Sequence, residues 1–250
     1  MYEQFAALYD RLMDDFDYPA WADYYLALLA RYGVKPKSML ECGCGTGSMS
    51  VEFAKRRIRL VASDLSEDML QAAQEKARRN GVMIPFVCQD MRELSSHRPA
   101  EAVLCCCDGV NYLTSEEDVK AFFRAAHRAL RPGGVLAFDL SSRYKLRDKM
   151  GNAFFGEERD EVAYLWQNQY DEAENVIRMD LTFFVRRDDD LYERFTEQHE
   201  QRAHTAEEIL LWLSECGFEQ AAVFGDRTFD APLPDSERIH FIAKKPMGDK

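Results

Sequence analysis

The sequence predicts an α/β protein with a mostly parallel sheet, interrupted by a small antiparallel insertion. Three observations carry this expectation. Strand-like and helix-like segments alternate over residues 38–140, as in βα units joined by right-handed crossovers. A glycine-rich turn, Gly43-Cys44-Gly45-Thr46-Gly47, joins the first of those strands to the helix that follows. Residues 143–200 then leave the alternation for strand patterns linked by short polar connections, which reads as an antiparallel meander.

In order, Ser38–Cys42 is the first strand, and Ser48 to Arg56 the first helix of the alternation. Leu60–Asp64 is the second strand. Ser66 caps a helix to about Asn80, with Glu67 and Asp68 in its first turn and Gly81 just beyond. Ile84–Cys88 and Ala102–Cys106 are the third and fourth strands. Ser115 and Asp118 suggest a capping box, followed by a helix whose Val119, Phe122, Phe123, Ala126 and Leu130 share one face. Arg131-Pro132-Gly133-Gly134 turns the chain into a fifth strand, Val135–Leu140. The meander comprises Val162–Tyr170, Val176–Arg186 and Leu191–Gln201. Thr205 and Glu208 open a last helix, which ends at Gly217 before strands near Ala221–Phe224 and His240–Lys244. The expected organisation is a core of residues 1–142 and 201–250 with an N-terminal helical lid. Residues 143–200 are an insertion that caps the substrate side or makes a homodimer contact.

Composition excludes several classes. With 250 residues, 46% hydrophobic and 30% charged, the chain can bury a core without disulfide or metal staples. No apolar run approaches the ~20 residues that span a bilayer, so no membrane partner is expected. Met1-Tyr2-Glu3-Gln4-Phe5 lacks the basic and apolar stretches of a signal peptide. The seven cysteines are odd in number and irregularly spaced, which suits free thiols and a cytoplasmic location. A formal net charge of -12 disfavours a nucleic-acid partner. The basic clusters at Arg56-Arg57 and Arg78-Arg79 fall at predicted helix ends, where cations complement the dipole.

Sheets of this kind bind ligands outside the carboxyl ends of their strands, which is where the glycine loop falls. A glycine loop alone also fits NAD or FAD. Here the spacing is G-x-G-x-G, and Ser48 stands where the dinucleotide fingerprint has its third glycine. A phosphate-binding P-loop is excluded, because no Lys-Ser or Lys-Thr follows. Asp64 ends the second strand, 17 residues after Gly47; a carboxylate there can accept from both hydroxyls of a ribose.

Glu41-Cys42-Gly43-Cys44-Gly45-Thr46-Gly47 resembles motif I, E/D-x-G-x-G-x-G, of class I S-adenosylmethionine (SAM)-dependent methyltransferases. Tyr2 to Asp10 resembles the N-terminal Y-x-x-F-A-x-x-Y-D of small bacterial methyltransferases, and Leu130–Gly134 matches their L-x-P-G-G turn. The matching elements cover roughly residues 1–142 and 203–245. The resemblance implies a Rossmann-like core with one antiparallel C-terminal strand, SAM as cofactor and S-adenosylhomocysteine (SAH) as product. It implies that Asp90 meets the adenine amino group and the Met91 N–H the ring, with Leu65 and Met69 beside them. Glu41, Cys42, Gly43, Gly45 and Cys106 would surround the rest of the donor, and Tyr9 its methionine end.

For chemistry, Asp108, Asn111 and Tyr112 follow the fourth strand and are candidates to orient a nucleophile, with His204 as a candidate base. Displacement at a sulfonium can run on proximity and orientation, so no dedicated catalytic residue is required. Cys42, Cys44, Cys105, Cys106 and Cys107 end adjacent strands, but no C-x-x-C pair exists and no metal is expected. The insertion carries a net charge of -6 and several aromatics, suited to an acidic vestibule for an amine or to a solvated face. It is more loosely similar to sugar N,N-dimethyltransferases and glycine-type N-methyltransferases. The expected function is therefore SAM-dependent methylation of a small molecule, at nitrogen by preference. The alternatives are an RNA or protein methyltransferase, or an NAD(P)-dependent oxidoreductase.

Overall fold

A computed structural model describes residues 8, 10, 12, 16–187 and 191–248. Helix α1 (Tyr18–Arg31) precedes an alternating run: β1 (Ser38–Cys42), α2 (Ser48–Lys55), β2 (Arg59–Asp64), α3 (Glu67–Arg79), β3 (Phe86–Cys88), β4 (Ala100–Cys105), α4 (Glu116–Ala129) and β5 (Leu130–Ser141). A π-helical turn, Tyr144–Met150, leads to β6 (Phe154–Arg159), β7 (Val162–Asp171), β8 (Val176–Arg186) and β9 (Tyr192–Arg202). Helix α5 (Ala206–Glu215), β10 (Glu219–Gly225) and β11 (Arg238–Lys244) complete the chain.

The main sheet has the order β10-β11-β5-β4-β1-β2-β3. Strands β1 to β5 run parallel, and β11 pairs antiparallel with β5 over seven residues. This is the Rossmann-like arrangement expected. Successive strand residues feed opposite layers, because side chains alternate across a sheet. Met39, Leu104, Ala137 and Ile242 pack with α1 and α2, while their neighbours Leu40, Val103, Leu136 and Phe241 pack with α4 and α5. Apolar strands buried on both faces read as continuous hydrophobic runs, as in sheets covered by helices on each side.

Caps set the helix starts. Ser66 accepts from Met69 N at 3.2 Å and Ser115 from Asp118 N at 3.1 Å. Thr205 and Glu208 form the full reciprocal box, which satisfies two otherwise unpaired N–H groups.

A second sheet, β6-β7-β8-β9, is antiparallel throughout. Its strand β6 goes beyond the three-strand meander expected: every residue there but Arg159 is exposed, and Gly156 lies in its middle, so no alternation marks it. The inner face contributes Ile177, Met179, Leu181 and Phe183 to a core cluster that also takes in Leu8, Met69 and Leu146. The meander thus packs on Met69 of α3, Leu146 of the π-helical turn and Leu8. Among the described residues no helix is long and apolar enough to cross a membrane.

Candidate functional site

The carboxyl ends of β1, β2 and β4 open into a cavity of about 830 Å³, roofed by the inner face of the meander. The glycine loop forms one wall. Gly43, Gly45 and Gly47 all have positive φ, at 61°, 52° and 75°, a region that disfavours side chains. A Cβ on Gly45 would meet nothing within 4 Å, whereas one on Gly43 would touch Met91 Cε at 3.4 Å. Gly47 faces away: a Cβ there would stand 2.8 Å from the Ala73 Cβ of α3. It fills the helix-packing role that the dinucleotide fingerprint gives to its third glycine.

Asp64 is tied to this loop. Its Oδ2 accepts from Gly45 N at 2.8 Å and its Oδ1 from Ser66 N at 3.0 Å. Glu41, only 2% exposed, accepts from the Ser50 hydroxyl, and burial pushes its carboxyl up to about 7.

The opposite end of the cavity is built on a charged network. Asp139 is fully buried on β5. It accepts from Tyr25 Oη at 2.7 Å, from the backbone N–H groups of Cys107 and Asp108 at 2.8 and 2.9 Å, and from Arg238. Those bonds hold Cys107 and Asp108 at φ 60° and 56°, a strained pair of left-handed residues. The Asp108 carboxylate then accepts from Ser141 Oγ and Gln201 Nε2, both at 3.1 Å, and from Arg238 at 3.3 Å. Burial works against the charge of Arg238, but Asp108 and Asp139 together hold its pKa above the ordinary range. Lys145, also lining the cavity, is pushed down by burial and by Arg238. The meander supplies Tyr164, Trp166, Met179, Leu181, Phe183 and His199. His199 packs edge-on to Tyr112, and burial lowers its pKa.

Of the residues singled out in the sequence, Glu41, Gly43, Gly45, Asp64, Leu65, Met69, Met91, Cys106, Asp108 and Tyr112 line this one cavity. Tyr9 lies outside the described residues. Four others are turned elsewhere. Cys42 sits on the far face of β1, among Leu40, Phe122 and Phe138. Asp90 is held by Arg92, at 2.9 and 2.6 Å, so its neighbours Gln89 and Met91 line the cavity instead. Asn111 is fully buried and accepts from Ser141 N while donating to the Ser141 and Arg202 carbonyls. His204 has no exposed surface, donates to the Leu113 carbonyl at 3.0 Å and packs against Trp212. Asn111 and His204 thus brace the wall from behind, with no access to a substrate. The thiols divide as well: Cys42 and Cys105 join one core layer, Cys44 and Cys106 the other.

Sequence reasoning missed Asp139, Lys145, His199, Gln201 and Arg238. Asp139 left a signal, since it is the one charge inside the apolar run Val135–Leu140. The others reach the site through strand pairing and chain return that no local pattern encodes.

Comparison with known proteins identifies the family. The family model described as "Methyltransferase domain" matches residues 39–134. A Geobacillus sp. (strain WCH70) protein, named as a methyltransferase, is 38% identical over 245 residues, covering 98% of this chain and 99% of its own. The crystal structure of a S-adenosylmethionine-dependent methyltransferase from Clostridium acetobutylicum ATCC 824 matches with a TM-score of 0.88 and 33% identity, over 98% of this chain and 99% of its own. The sugar N-methyltransferase KedS8 from Streptoalloteichus sp ATCC 53650 shares the fold, with a TM-score of 0.77 over 98% of this chain and 93% of its own, at 19% identity.

Proposed function

This chain belongs to the class I SAM-dependent methyltransferases, and from that premise we propose that it methylates a small molecule, at nitrogen by preference. The observation that carries the proposal is the roof over the cavity. The space beyond the glycine loop is walled by Tyr164, Trp166, Met179, Leu181 and Phe183. The whole cavity, donor end included, is about 830 Å³, the size of a small-molecule site, and it is lined largely by apolar side chains. An RNA or protein acceptor calls for an open and, for RNA, basic cleft. This cavity has Lys145 and Arg238 as its only cations among the described residues, with Glu41, Asp64, Glu67, Asp68 and Asp108 as acids. The cofactor is SAM, so the oxidoreductase alternative falls away.

The residues present fit the donor. The bare Cα of Gly45 leaves room for close approach. The Asp64 carboxylate uses one acceptor position on each oxygen and keeps another on each for a ribose hydroxyl. Leu65 and Met91 flank the place for the adenine, and Glu41 with Gly43 that for the methionine end. When bound, SAM supplies an electrophilic methyl group on a sulfonium sulfur. The work of the chain is then orientation: Asp108, fixed by Ser141, Gln201 and Arg238, and Tyr112, at the rim, hold the nucleophile in line. An amine acceptor needs only to arrive deprotonated, and the aromatic side chains of the meander give it an apolar wall.

Transfer of labelled methyl from SAM should be measured to a panel of small amines and, in parallel, to RNA and protein. Label in an amine supports the proposal. Label confined to RNA or protein refutes the small-molecule reading, and label on oxygen or sulfur alone refutes the preference for nitrogen.

A further inference from the structure

Behind the glycine loop, Asp10, Thr46 and Lys76 close a ring of hydrogen bonds. Lys76 Nζ donates to Asp10 Oδ1 at 2.6 Å, to Thr46 Oγ1 at 2.9 Å and to Ser48 Oγ at 2.5 Å. The Thr46 hydroxyl donates to the same Asp10 oxygen at 2.7 Å. These bonds join parts of the chain remote in sequence: Asp10, the glycine loop with the start of α2, and the last turn of α3.

Each part also makes an apolar contact of its own. On α3, Ala73 lies under Gly47, so the helix holds the loop by close packing as well as by charge. On the N-terminal segment, Leu8 and Leu12 pack with Met69 and the inner face of the meander, and Leu12 lines the main cavity. Lys76 does not reach that cavity, but Thr46 and Ser48 do. The Lys76 side chain is only 14% exposed. Burial draws its pKa down, and Asp10 works against that. A buried ammonium is a costly way to secure a loop unless its carboxylate partner stays in place. The ring therefore makes the glycine loop sensitive to whether Asp10 is docked.

We propose that Lys76 is a positioning residue for the donor: through Asp10 and Thr46 it couples the placement of Asp10 to the shape of the glycine loop. SAM binding and the Asp10–Lys76 contact then favour each other, since coupling between two sites is reciprocal. The inference rests on the reading of the glycine loop and Asp64 as the donor site.

The test is calorimetric titration of the full chain with SAH. The proteins are wild type, Lys76→Met, Asp10→Asn, the double variant, Lys76→Arg and Asp64→Ala. Each of the first two substitutions should weaken SAH about tenfold. The double variant should be no weaker than the poorer single one, because both remove one coupling. Lys76→Arg should recover most of the affinity, since it keeps the charge; a role in packing alone would not respond this way. Unchanged affinity in folded Lys76→Met, or losses that add in the double variant, would overturn the inference. Should Lys76→Met fail to fold, Thr46→Val paired with Asp10→Asn completes the same cycle. Unchanged affinity in Thr46→Val, or additive losses in that pair, would overturn the inference equally. Retention of SAH by Asp64→Ala would instead overturn the donor-site reading itself, and the inference with it.

Discussion

The backbone N–H of Gly45 donates to Asp64 Oδ2 at 2.8 Å, which makes the glycine loop and the end of β2 one hydrogen-bonded unit. An acid at the end of β2 thus shapes the loop before any ligand arrives. Under the proposed function, Asp64→Ala loses the ribose contacts and loosens Gly45 as well. Hydrogen bonds to a charged acceptor are worth roughly 1.5–3 kcal/mol, so SAH affinity should fall from about tenfold to over a hundredfold. Calorimetry on a variant with native circular dichroism checks this. Unchanged affinity would remove Asp64 from the site.

Gly47 is required for packing. A methyl group there would stand 2.8 Å from the Ala73 Cβ, at a φ of 75°. Gly47→Ala should destabilise by about 1–3 kcal/mol, the usual range for overpacking. In a chain of this size that lowers the thermal midpoint by roughly 2–12 °C. A midpoint equal to wild type would mean that α3 shifts freely, and that the contact does not fix the loop.

Donor and acceptor functions should separate at Trp166. Its ring lines the cavity, and its Nε1 donates to Asn168, which fixes the ring on the meander. Trp166→Ala should raise the acceptor KM about tenfold, given aromatic contacts worth roughly 0.5–1.5 kcal/mol beyond burial. SAH affinity should stay within about twofold, and Trp166→Phe should behave more like wild type. Steady-state kinetics with the amine found in the transfer screen checks the first claim, and calorimetry the second. A loss of SAH binding in the folded variant would mean that the roof also closes the donor end.

The buried groups give stability a defined pH dependence. Burial, helped by Arg202, pushes His204 down to about 4, against about 6.5 in an unfolded chain. Between those values the unfolded state binds more protons, so stability falls as pH drops. The loss from His204 is about 2 kcal/mol at pH 5. Glu41, raised by burial to about 7 from 4.5, acts in the opposite sense, costing stability as pH rises through that window. The two partly cancel in the wild type. His204→Gln, which keeps a donor for the Leu113 carbonyl, should therefore lose less of its urea midpoint than wild type between pH 7 and pH 5. Parallel pH curves would show that His204 binds protons alike in the folded and unfolded chain, so that burial does not lower its pKa.

The alternating strands and helices of the main sheet and the glycine loop were legible because each leaves a local mark. The loop needs positive φ at Gly43, Gly45 and Gly47, and the strands are apolar on both faces. Strand β6 was not legible, being an exposed edge with a glycine at its centre. The pairing of Asp90 with Arg92, two residues on, was not legible, nor was the burial of His204 against Trp212 of α5. The Asp139–Arg238 pair lay furthest from view. It exists only because β11 returns antiparallel beside β5, with Arg238 opposite Ser141 and His240 opposite Asp139.

The arrangement of the site is tested most directly by a crystal structure grown with SAH. The account predicts both ribose hydroxyls on the Asp64 carboxylate, the adenine beside Leu65 and Met91, and the homocysteine end directed past Gly43 toward Asp108. It also predicts free space left under Trp166 and Phe183. SAH bound beneath the meander aromatics, or with its ribose away from Asp64, would contradict it.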